Sequence, residues 1–314
     1  MLRAGLAALI LAAVLAGCGG GNEETTADPG PAAAGGGGLL AFAIPAIPQR
    51  LDPLAAAGPE AQLVTRQIHE PLVAEMSGPY DDRSRQPGLA ISLRPSPDRS
   101  VWRLVLRSAV RFQDGTPFNA GAVLANARRW QSSPAGRRLL PDLFAVDAPR
   151  PHEVRFQFSA SRSDAPELLS SPRLGIVSPG ALRPRNGVRA RFRPVATETG
   201  TGPFRLDSRT DTAIVLARNP QWWGTEFGLG PALDGVGFTA VPGKARRLEL
   251  LRSGAVEVAQ PLGGTGSDAV ADDPLLRSSG SGAEAISYEA SVRGLDQGSV
   301  PPLLSTVWLT TIGG

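Results

Sequence analysis

The chain has 314 residues, of which 42% are hydrophobic and 19% charged, so it can bury the core of one large or two small domains. Its formal net charge is +3 and its pI about 9.7, because the basic residues are nearly all arginine. No basic run is interleaved with aromatic residues, so nucleic-acid binding is not expected. One Cys and two His are too few for a zinc or iron–sulfur site or an intrachain disulfide, and we predict neither a metal nor a cofactor.

The first residues have the three parts of a bacterial lipoprotein signal. A short basic start precedes an apolar run over residues 4–16, which is too short to span a bilayer and typical of a signal-peptide core. The run ends in LAGC at residues 15–18. That sequence resembles the lipobox, in which the thiol takes the lipid. We therefore predict a signal peptide over residues 1–18 and lipidation of Cys18; an incidental or buried Cys is the alternative.

Residues 19–38 consist mainly of Gly, Ala, Pro and small polar residues. Such a segment cannot bury enough apolar surface to fold, so we expect a flexible tether. Together with Cys18, the tether predicts that the folded region is lipid-anchored on the extracytoplasmic face of the cell membrane, whether extracellular or periplasmic. That location makes nucleotide-dependent enzymes a poor first hypothesis.

The folded region is predicted to begin with a strand at residues 39–44, followed by a turn at residues 51–53 (LDP). Over residues 59–73 apolar residues recur at helical spacing, and Pro71 should end that helix. His69 lies on it, and a packing role is favoured over a ligand role. The polar residues 80–82, with two adjacent acids, are expected to form a solvated turn rather than a metal site.

The central part of the chain predicts strands, a tight turn and a capped helix. Residues 101–107 and 110–112 alternate apolar and polar, which indicates half-buried strands. Asp114-Gly115 supplies the turn, since Gly adopts positive φ without penalty. Asn119 is placed to cap the next helix. Residues that recur there at helical spacing are Ala122, Val123, Asn126, Ala127 and Trp130.

The chain after that helix predicts a hairpin, a short helix and a buried segment. Strands are expected at residues 143–147, 153–158 and 174–177, with a Pro-Arg-Pro turn at 149–151. Asp164 is expected to cap a short helix reaching Leu169. The arginine-rich stretch at residues 183–193 is expected to form an exposed loop.

Two glycine-containing motifs follow. Residues 200–204 (GTGPF) predict a tight backbone entering a strand at 204–207; a dinucleotide loop is disfavoured because Pro203 lacks an N–H. A strand is expected at 214–216. Of Trp222 and Trp223, one is expected to pack inward and one to lie over the turn.

The last predicted elements are a helix and short strands. Residues 243–254 read as a helix with Leu248 and Leu251 inward and Gly254 as its stop. A strand is expected at 255–258. Loops at 263–266 and 278–282 and a terminal strand at 307–312 complete the chain.

Five of these segments resemble the family 5 solute-binding proteins, the extracytoplasmic peptide and nickel receptors of ABC importers. RQIHEPLV at residues 66–73 is similar to the family's RQIYEPLV, and VRFQDGTPF at 110–118 to VKFHDGTPF. GTGPF at 200–204 resembles GTGPY/F, and RNPQWWG at 218–224 resembles RNPDYWG. The helix at 243–254 is similar to the family's ARLQALLSGEVD. The acidic pair that usually follows DGTPF is replaced here by Gly and Ala.

The resemblance implies a mixed α/β fold: one lobe of a type II periplasmic-binding-protein-like clamshell, with mixed sheets flanked by helices. Lobe one is assigned to residues 39–258. Residues 259–314 are predicted to be irregular with a final strand, so the second lobe is expected to be largely absent. LDP at residues 51–53 resembles the LDP that follows the family's first strand, and the resemblance implies that this loop lies near the ligand cleft. The two adjacent Trp could stack a ligand. The candidate ligand-binding residues are Leu51, Asp52, Gly200, Thr201, Gly202 and Trp222.

The sequence therefore favours a lipid-anchored substrate-binding protein of an ABC importer, which binds short peptides or similar small solutes and docks on permease subunits in the membrane. The alternative is a one-lobed lipoprotein outside transport, acting as an interaction or scaffold module or as a truncated, non-binding derivative. An enzyme is not predicted, because no nucleophile, metal cluster or acid–base pair emerges and no Ser lies in a G-x-S-x-G context.

Overall fold

A computed structural model describes residues 38–74, 88–182, 199–227, 231, 233–260, 273, 276–279 and 290–293. Several predicted features lie outside these residues: the signal peptide with Cys18, nearly all of the tether, the polar turn at 80–82, the arginine-rich stretch, the loop at 263–266 and the terminal strand. Those features stay predictions.

The described elements alternate between strands and short helices. The strands are β1 (Leu39–Ile44), β2 (Ala90–Pro95), β3 (Val101–Leu106), β4 (Leu143–Arg150), β5 (Glu153–Phe158), β6 (Phe204–Arg209), β7 (Ala213–Arg218), β8 (Gly235–Ala240), β9 (Val258–Ala259), β10 (Leu276–Ser279) and β11 (Ala290–Arg293). The α-helices are α1 (Pro59–Ile68), α2 (Ala120–Ser132), α3 (Pro134–Leu139), α4 (Ala165–Ser170) and α5 (Lys244–Ser253). Short 3-10 helices are Pro53–Ala55, Pro172–Leu174 and Trp223–Phe227.

The described strands form two sheets. The larger has the order β10-β11-β9-β1-β8-β7-β6, in which β1 runs parallel to both β8 and β9 and the other pairs are antiparallel. Because β1 is central, its side chains are mostly buried; the rings of Phe42 and Phe238 lie 5.1 Å apart. Leu63, Val64 and Ile68 of α1 join this apolar cluster, as amphipathic packing requires.

The smaller sheet is antiparallel, with the order β2-β3-β5-β4. Trp102, Leu104 and Leu106 of β3 point to one buried face, as the period of two predicts. The indole of Trp102 donates a hydrogen bond to the carbonyl of Arg162 at 2.9 Å. The predicted inward face of α2 is buried against the same core, with Trp130 almost fully enclosed.

The turn between β3 and α2 confirms part of the prediction. Gly115 has φ of 82°, and Asn119 caps α2 by accepting a hydrogen bond from the backbone N–H of Ala122 at 3.2 Å. The strand predicted at 110–112 is wrong: a single bridge joins Arg111 to Pro117. The tight turn reverses the chain after this one bridged pair of residues, so a ladder of several pairs cannot form.

Other corrections concern where elements end and what type they are. Helix α1 ends at Ile68, before the predicted position, because His69 is already extended and its successor precedes a proline. The predicted turn at 149–151 is misplaced, since β4 continues through Arg150. The strand at 255–258 is shorter and later than predicted, because pairing with β1 begins at Val258. Residues 278–279, predicted as loop, belong to β10.

The apolar run at residues 174–177 is buried, but it is not a strand. Leu174 ends a 3-10 helix, and the following backbone has no ladder partner. Its N–H groups are satisfied instead by the carbonyl of Glu70, 2.9 Å from the nitrogen of Ile176, and by the side chain of Asn126, 3.1 Å from that of Val177. Burial was predictable from the composition, but this bonding pattern was not.

Candidate functional site

The LDP turn is a compact junction built around Asp52. One carboxylate oxygen accepts the backbone N–H of Leu54 at 3.0 Å, which caps the 3-10 helix Pro53–Ala55. The other oxygen accepts a hydrogen bond from Arg129 on α2 and forms an ion pair with it. Leu51 is buried in the cluster beside the larger sheet. The turn therefore presents a charged side chain on one side and contributes an apolar one to the core.

A second arginine contacts this turn. Arg173 donates a hydrogen bond to the carbonyl of Leu54 at 3.1 Å. Partial burial lowers the pKa of Arg173, and the positive charge of Arg138 on α3 lowers it further. Nη1 of Arg129 and Nε of Arg173 have no hydrogen-bond acceptor among the described residues. Two guanidinium groups therefore contact the LDP turn: that of Arg129 at the carboxylate of Asp52, and that of Arg173 at the carbonyl of Leu54.

A second buried carboxyl group, Glu70, follows α1. It is 2% exposed. The indole N–H of Trp223 donates to both of its oxygens at 3.0 Å, and that of Trp222 lies 3.4 Å from Oε1. Burial raises the pKa of Glu70 to about 7, and the indole hydrogen bonds and the charge of Arg107 offset part of that rise. The hydroxyl of Thr201 lies near the carboxyl group but not in hydrogen-bonding geometry.

Arg107 covers this group from the end of β3. Its guanidinium carbon lies 4.2 Å from the centre of the Trp223 ring and 4.9 Å from that of Phe227, which is the geometry of a cation–π contact. Its Nε donates to the carbonyl of Gly88 at 2.6 Å. Burial lowers the pKa of Arg107, while the charge of Glu70 raises it. Arg107 thus connects the end of β3 to the 3-10 helix Trp223–Phe227 by stacking on its aromatic rings.

The GTGPF segment packs tightly against the end of α1. The N–H of Gly202 donates to the carbonyl of Ile68 at 2.9 Å, and the carbonyl of Gly200 accepts the N–H of Gln113 at 2.9 Å. A Cβ atom on Gly200 would lie 1.9 Å from the carbonyl oxygen of Ile68, and one on Gly202 would lie 2.5 Å from that of Gln67. These glycines are required for close backbone approach rather than for positive φ.

Both Trp222 and Trp223 are buried, with ring centres 5.4 Å apart. The prediction that one of them would lie over the turn is therefore wrong. The physical reason is Glu70, whose carboxyl group provides acceptors for both indole N–H groups inside the core.

The predicted ligand residues thus fall in two places. Leu51 and Asp52 lie at the LDP turn, whereas the other four surround the buried Glu70 and the end of α1. Sequence reasoning did not single out Glu70, Arg129 or Arg173. A sequence signal existed for the first, because two adjacent Trp in a predicted core need nearby acceptors. Among the described residues there is no group of three potential metal ligands, and no helix is both long and apolar enough to cross a membrane.

Comparison with known proteins places this geometry in a family. The model of the bacterial extracellular solute-binding proteins, family 5, middle region, matches residues 85–296. The chain belongs to this family. The glutathione-binding protein GsiB of Escherichia coli O1:K1 is 30% identical to this family 5 chain over 217 residues. That alignment covers 68% of the chain but 40% of GsiB.

Solved structures show the same fold for this family 5 protein. AgaA of A. tumefaciens R10, in complex with agropinic acid, superposes with a TM-score of 0.66 at 24% identity, covering 77% of this chain and 48% of AgaA. DppA of Helicobacter pylori, in complex with the peptide STSA, superposes with a TM-score of 0.62 at 23% identity, covering 78% and 51%. The fold is therefore that of a type II periplasmic binding protein, and the chain spans about half the length of these structures.

Proposed function

We propose that this family 5 protein is a lipid-anchored substrate-binding protein of an ABC importer, and that it binds short peptides or similar small solutes outside the cytoplasmic membrane. The observation that carries the proposal is the family match across residues 85–296, joined to the lipobox-like sequence ending at Cys18. Permease subunits in the membrane are the proposed partners. The chain spans 40% of GsiB, so we propose, rather than infer from the family, that it has the binding activity of the longer relatives.

Peptides are the default ligand class for two reasons. GsiB is named for binding glutathione, itself a short peptide, and DppA holds the peptide STSA. The described residues also lack a cluster that could hold a metal ion, so a peptide is a better first probe than a bare metal.

The site we propose for ligand contact is the LDP turn. Asp52 is 7% exposed and its charged side chain is ion-paired, which fixes the position of Arg129. We propose that Leu51, Gly200, Thr201, Gly202 and Trp222 act on the ligand indirectly, because they are buried, carry no charge as Asp52 does, and hold the backbone that surrounds the turn or Glu70.

Ligand binding can be tested on the full chain purified in detergent. We expect some members of a di- and tripeptide library to raise the melting temperature, since a ligand that binds only the folded state stabilises it by RT ln(1 + [L]/Kd). Isothermal titration of the positive peptides then gives their affinity. If no peptide shifts the melting temperature and none binds by titration, the transport proposal is wrong and the interaction-module alternative is favoured.

Lipid anchoring has a separate test. The wild-type chain and a Cys18→Ser variant are expressed in a bacterial host fed with labelled palmitate. We expect label and membrane association in the wild type and loss of both in the variant, because the thiol is the acceptor for the lipid. Equal labelling of the two chains would contradict the role of Cys18.

A further inference from the structure

The edge strand β4 carries an aromatic side chain that lies in solvent. Phe144 is 65% exposed, more than any other large apolar residue that the structure describes. Strand β4 has a bulge between Leu143 and Ala145, so Phe144 has no residue opposite it on β5. The bulge turns the ring away from the core, and Phe144 belongs to none of the buried apolar clusters of the described residues.

Two exposed arginines lie beside this ring. The side-chain amide of Gln131 donates a hydrogen bond to the carbonyl of Phe144 at 3.1 Å, which joins the end of α2 to β4. Arg137 of α3 donates to the carbonyl of the same Gln131 at 3.0 Å. Arg128 lies three residues before Gln131 on α2, and side chains at that spacing share one face of a helix. Gln131 is therefore the residue around which the ring and both guanidinium groups gather.

The positive charge of this surface is not balanced within the part of the chain that the structure describes. Neither Arg128 nor Arg137 pairs with a carboxylate there, and both are exposed. The acid nearest to Phe144 in the sequence is Asp142, and Arg162 already pairs with it at 3.2 Å. We call the exposed side chains Phe144, Arg128 and Arg137 the β4 patch. It combines one apolar ring with two uncompensated positive charges.

We propose that the β4 patch docks on an anionic lipid surface and so sets the orientation of the folded region against the membrane. Arginine is attracted to anionic headgroups, and an exposed aromatic ring gains free energy by leaving water for the boundary between headgroups and acyl chains. The complementary charge of such a surface therefore fits the two arginines, and its apolar boundary fits the ring.

The predicted anchor would bring this surface close. If residues 19–38 form the predicted tether, its end-to-end distance is about 25 Å, so the folded region would stay within reach of the bilayer. The proposal rests on the proposed lipid anchoring for the nearness of the membrane, but not for the existence of the patch.

Docking can be measured by hydrogen exchange on the full lipidated chain, purified in detergent and returned to vesicles. One set of vesicles contains phosphatidylcholine alone, and the other contains phosphatidylcholine and phosphatidylglycerol in equal parts. We expect the amides of residues 128–146 to exchange more slowly on the anionic vesicles, because both lipids hold the anchor but only one attracts arginine. High salt should remove the difference, since it screens exposed charges.

Variants test the named side chains. Arg137→Gln should lower the ratio of docked to undocked protein about fivefold, and Phe144→Ser should lower it about tenfold. One matched control is Arg111→Gln, because the Arg111 guanidinium likewise donates to a backbone carbonyl, that of Gly115 at 3.1 Å. The other is Ile91→Ser, an exposed apolar residue on β2, the opposite edge of the same sheet. Both controls should stay within about twofold of the wild type, as surface substitutions away from the patch.

The proposal is overturned if exchange is equal on the two kinds of vesicle, or if Arg111→Gln weakens docking as much as Arg137→Gln does. Protection on membranes of the host but not on phosphatidylglycerol vesicles would also overturn it, in favour of an acidic protein partner. A lipidated chain that binds peptides but does not dock leaves the proposed function intact and removes the patch. If the chain carries no lipid but binds anionic vesicles through Arg137 and Phe144, the patch stands and the anchor at Cys18 falls.

Discussion

Among the buried carboxyl groups of the described residues, Asp52 and Glu70 both lie near arginine and are held in opposite ways. Asp52 forms a direct ion pair with Arg129. Within the part of the chain that the structure describes, Glu70 has no such contact: Arg107 lies over the neighbouring indole ring, and the neutral N–H groups of Trp222 and Trp223 donate hydrogen bonds to Glu70. Asp52 is therefore neutralised by the positive charge of Arg129, whereas Glu70 is surrounded by neutral hydrogen-bond donors.

The two carboxyl groups differ in what surrounds them, and this difference suggests different roles for them. At the LDP turn, one oxygen of Asp52 pairs with Arg129 and the other caps the 3-10 helix Pro53–Ala55. Burial of Glu70 raises its pKa to about 7. Its hydrogen bond from Trp223 connects the residues after α1 to the 3-10 helix Trp223–Phe227. We propose that the first arrangement serves ligand contact, whereas the second stabilises the core. Changing each carboxyl group separately tests this division.

The largest effect should come from Glu70→Ala. It leaves the indole N–H groups of Trp222 and Trp223 buried without their acceptor and opens a cavity, so we expect a loss of about 4 kcal/mol in the free energy of unfolding at pH 5. The control is Glu70→Gln, which keeps an acceptor oxygen and should lose about 1 kcal/mol or less at that pH. Chemical denaturation measures both. Equal losses in the two variants would show that the indole hydrogen bonds contribute little.

The next effect is a pH dependence that originates from Glu70. Its pKa is raised from 4.5 to about 7 in the folded protein, so the folded state holds a proton that the unfolded state has released between those values. Stability from this group is therefore complete below about pH 4.5 and is lost as the pH rises through 7. At about 1.4 kcal/mol per pKa unit, the loss amounts to about 3 kcal/mol.

Glu70→Gln should remove this slope, because an amide does not titrate. Arg107 and His69, the charged and titratable groups beside Glu70 in sequence or space, are the same in both proteins. The measurement is the free energy of unfolding at pH 5, 6, 7 and 8. Parallel pH profiles for the wild type and the variant would contradict the assignment to Glu70.

Local elements of this fold were predictable from the sequence, and the contacts between them were not. The alternation in β3 and the spacing in α2 gave their inward faces correctly, because each side-chain period reports on its own element. The run at 174–177 was placed in the core but assigned the wrong type, because its partners are Glu70 and Asn126, far away in the chain. Apolar composition reports burial, not bonding partners.

The candidate site shows the same limit. Asp52 was identified from its turn, but its partner Arg129 lies 77 residues later. Glu70 meets Trp223 across 153 residues. Gly200 and Gly202 attract attention in the sequence because they are glycines in a motif, and the structure explains them by backbone contact with α1. The local sequence does not show which distant carbonyl oxygen approaches each glycine in the space where a Cβ atom would lie.

The smallest effect should come from Asp52→Asn. The amide oxygen can still cap the 3-10 helix, but the ion pair with Arg129 is lost and the positive charge at the turn increases. We expect a loss of about 1 kcal/mol at pH 8, more than the loss of about 0.5 kcal/mol or less for the control Asp234→Asn, whose pair with Arg218 is far more exposed. At the same pH, Glu70→Gln should instead gain about 2 kcal/mol, because it removes a buried ionised carboxylate. One acid-to-amide change would then destabilise the protein and the other stabilise it. Changes of the same sign would mean that the two carboxyl groups are held alike after all.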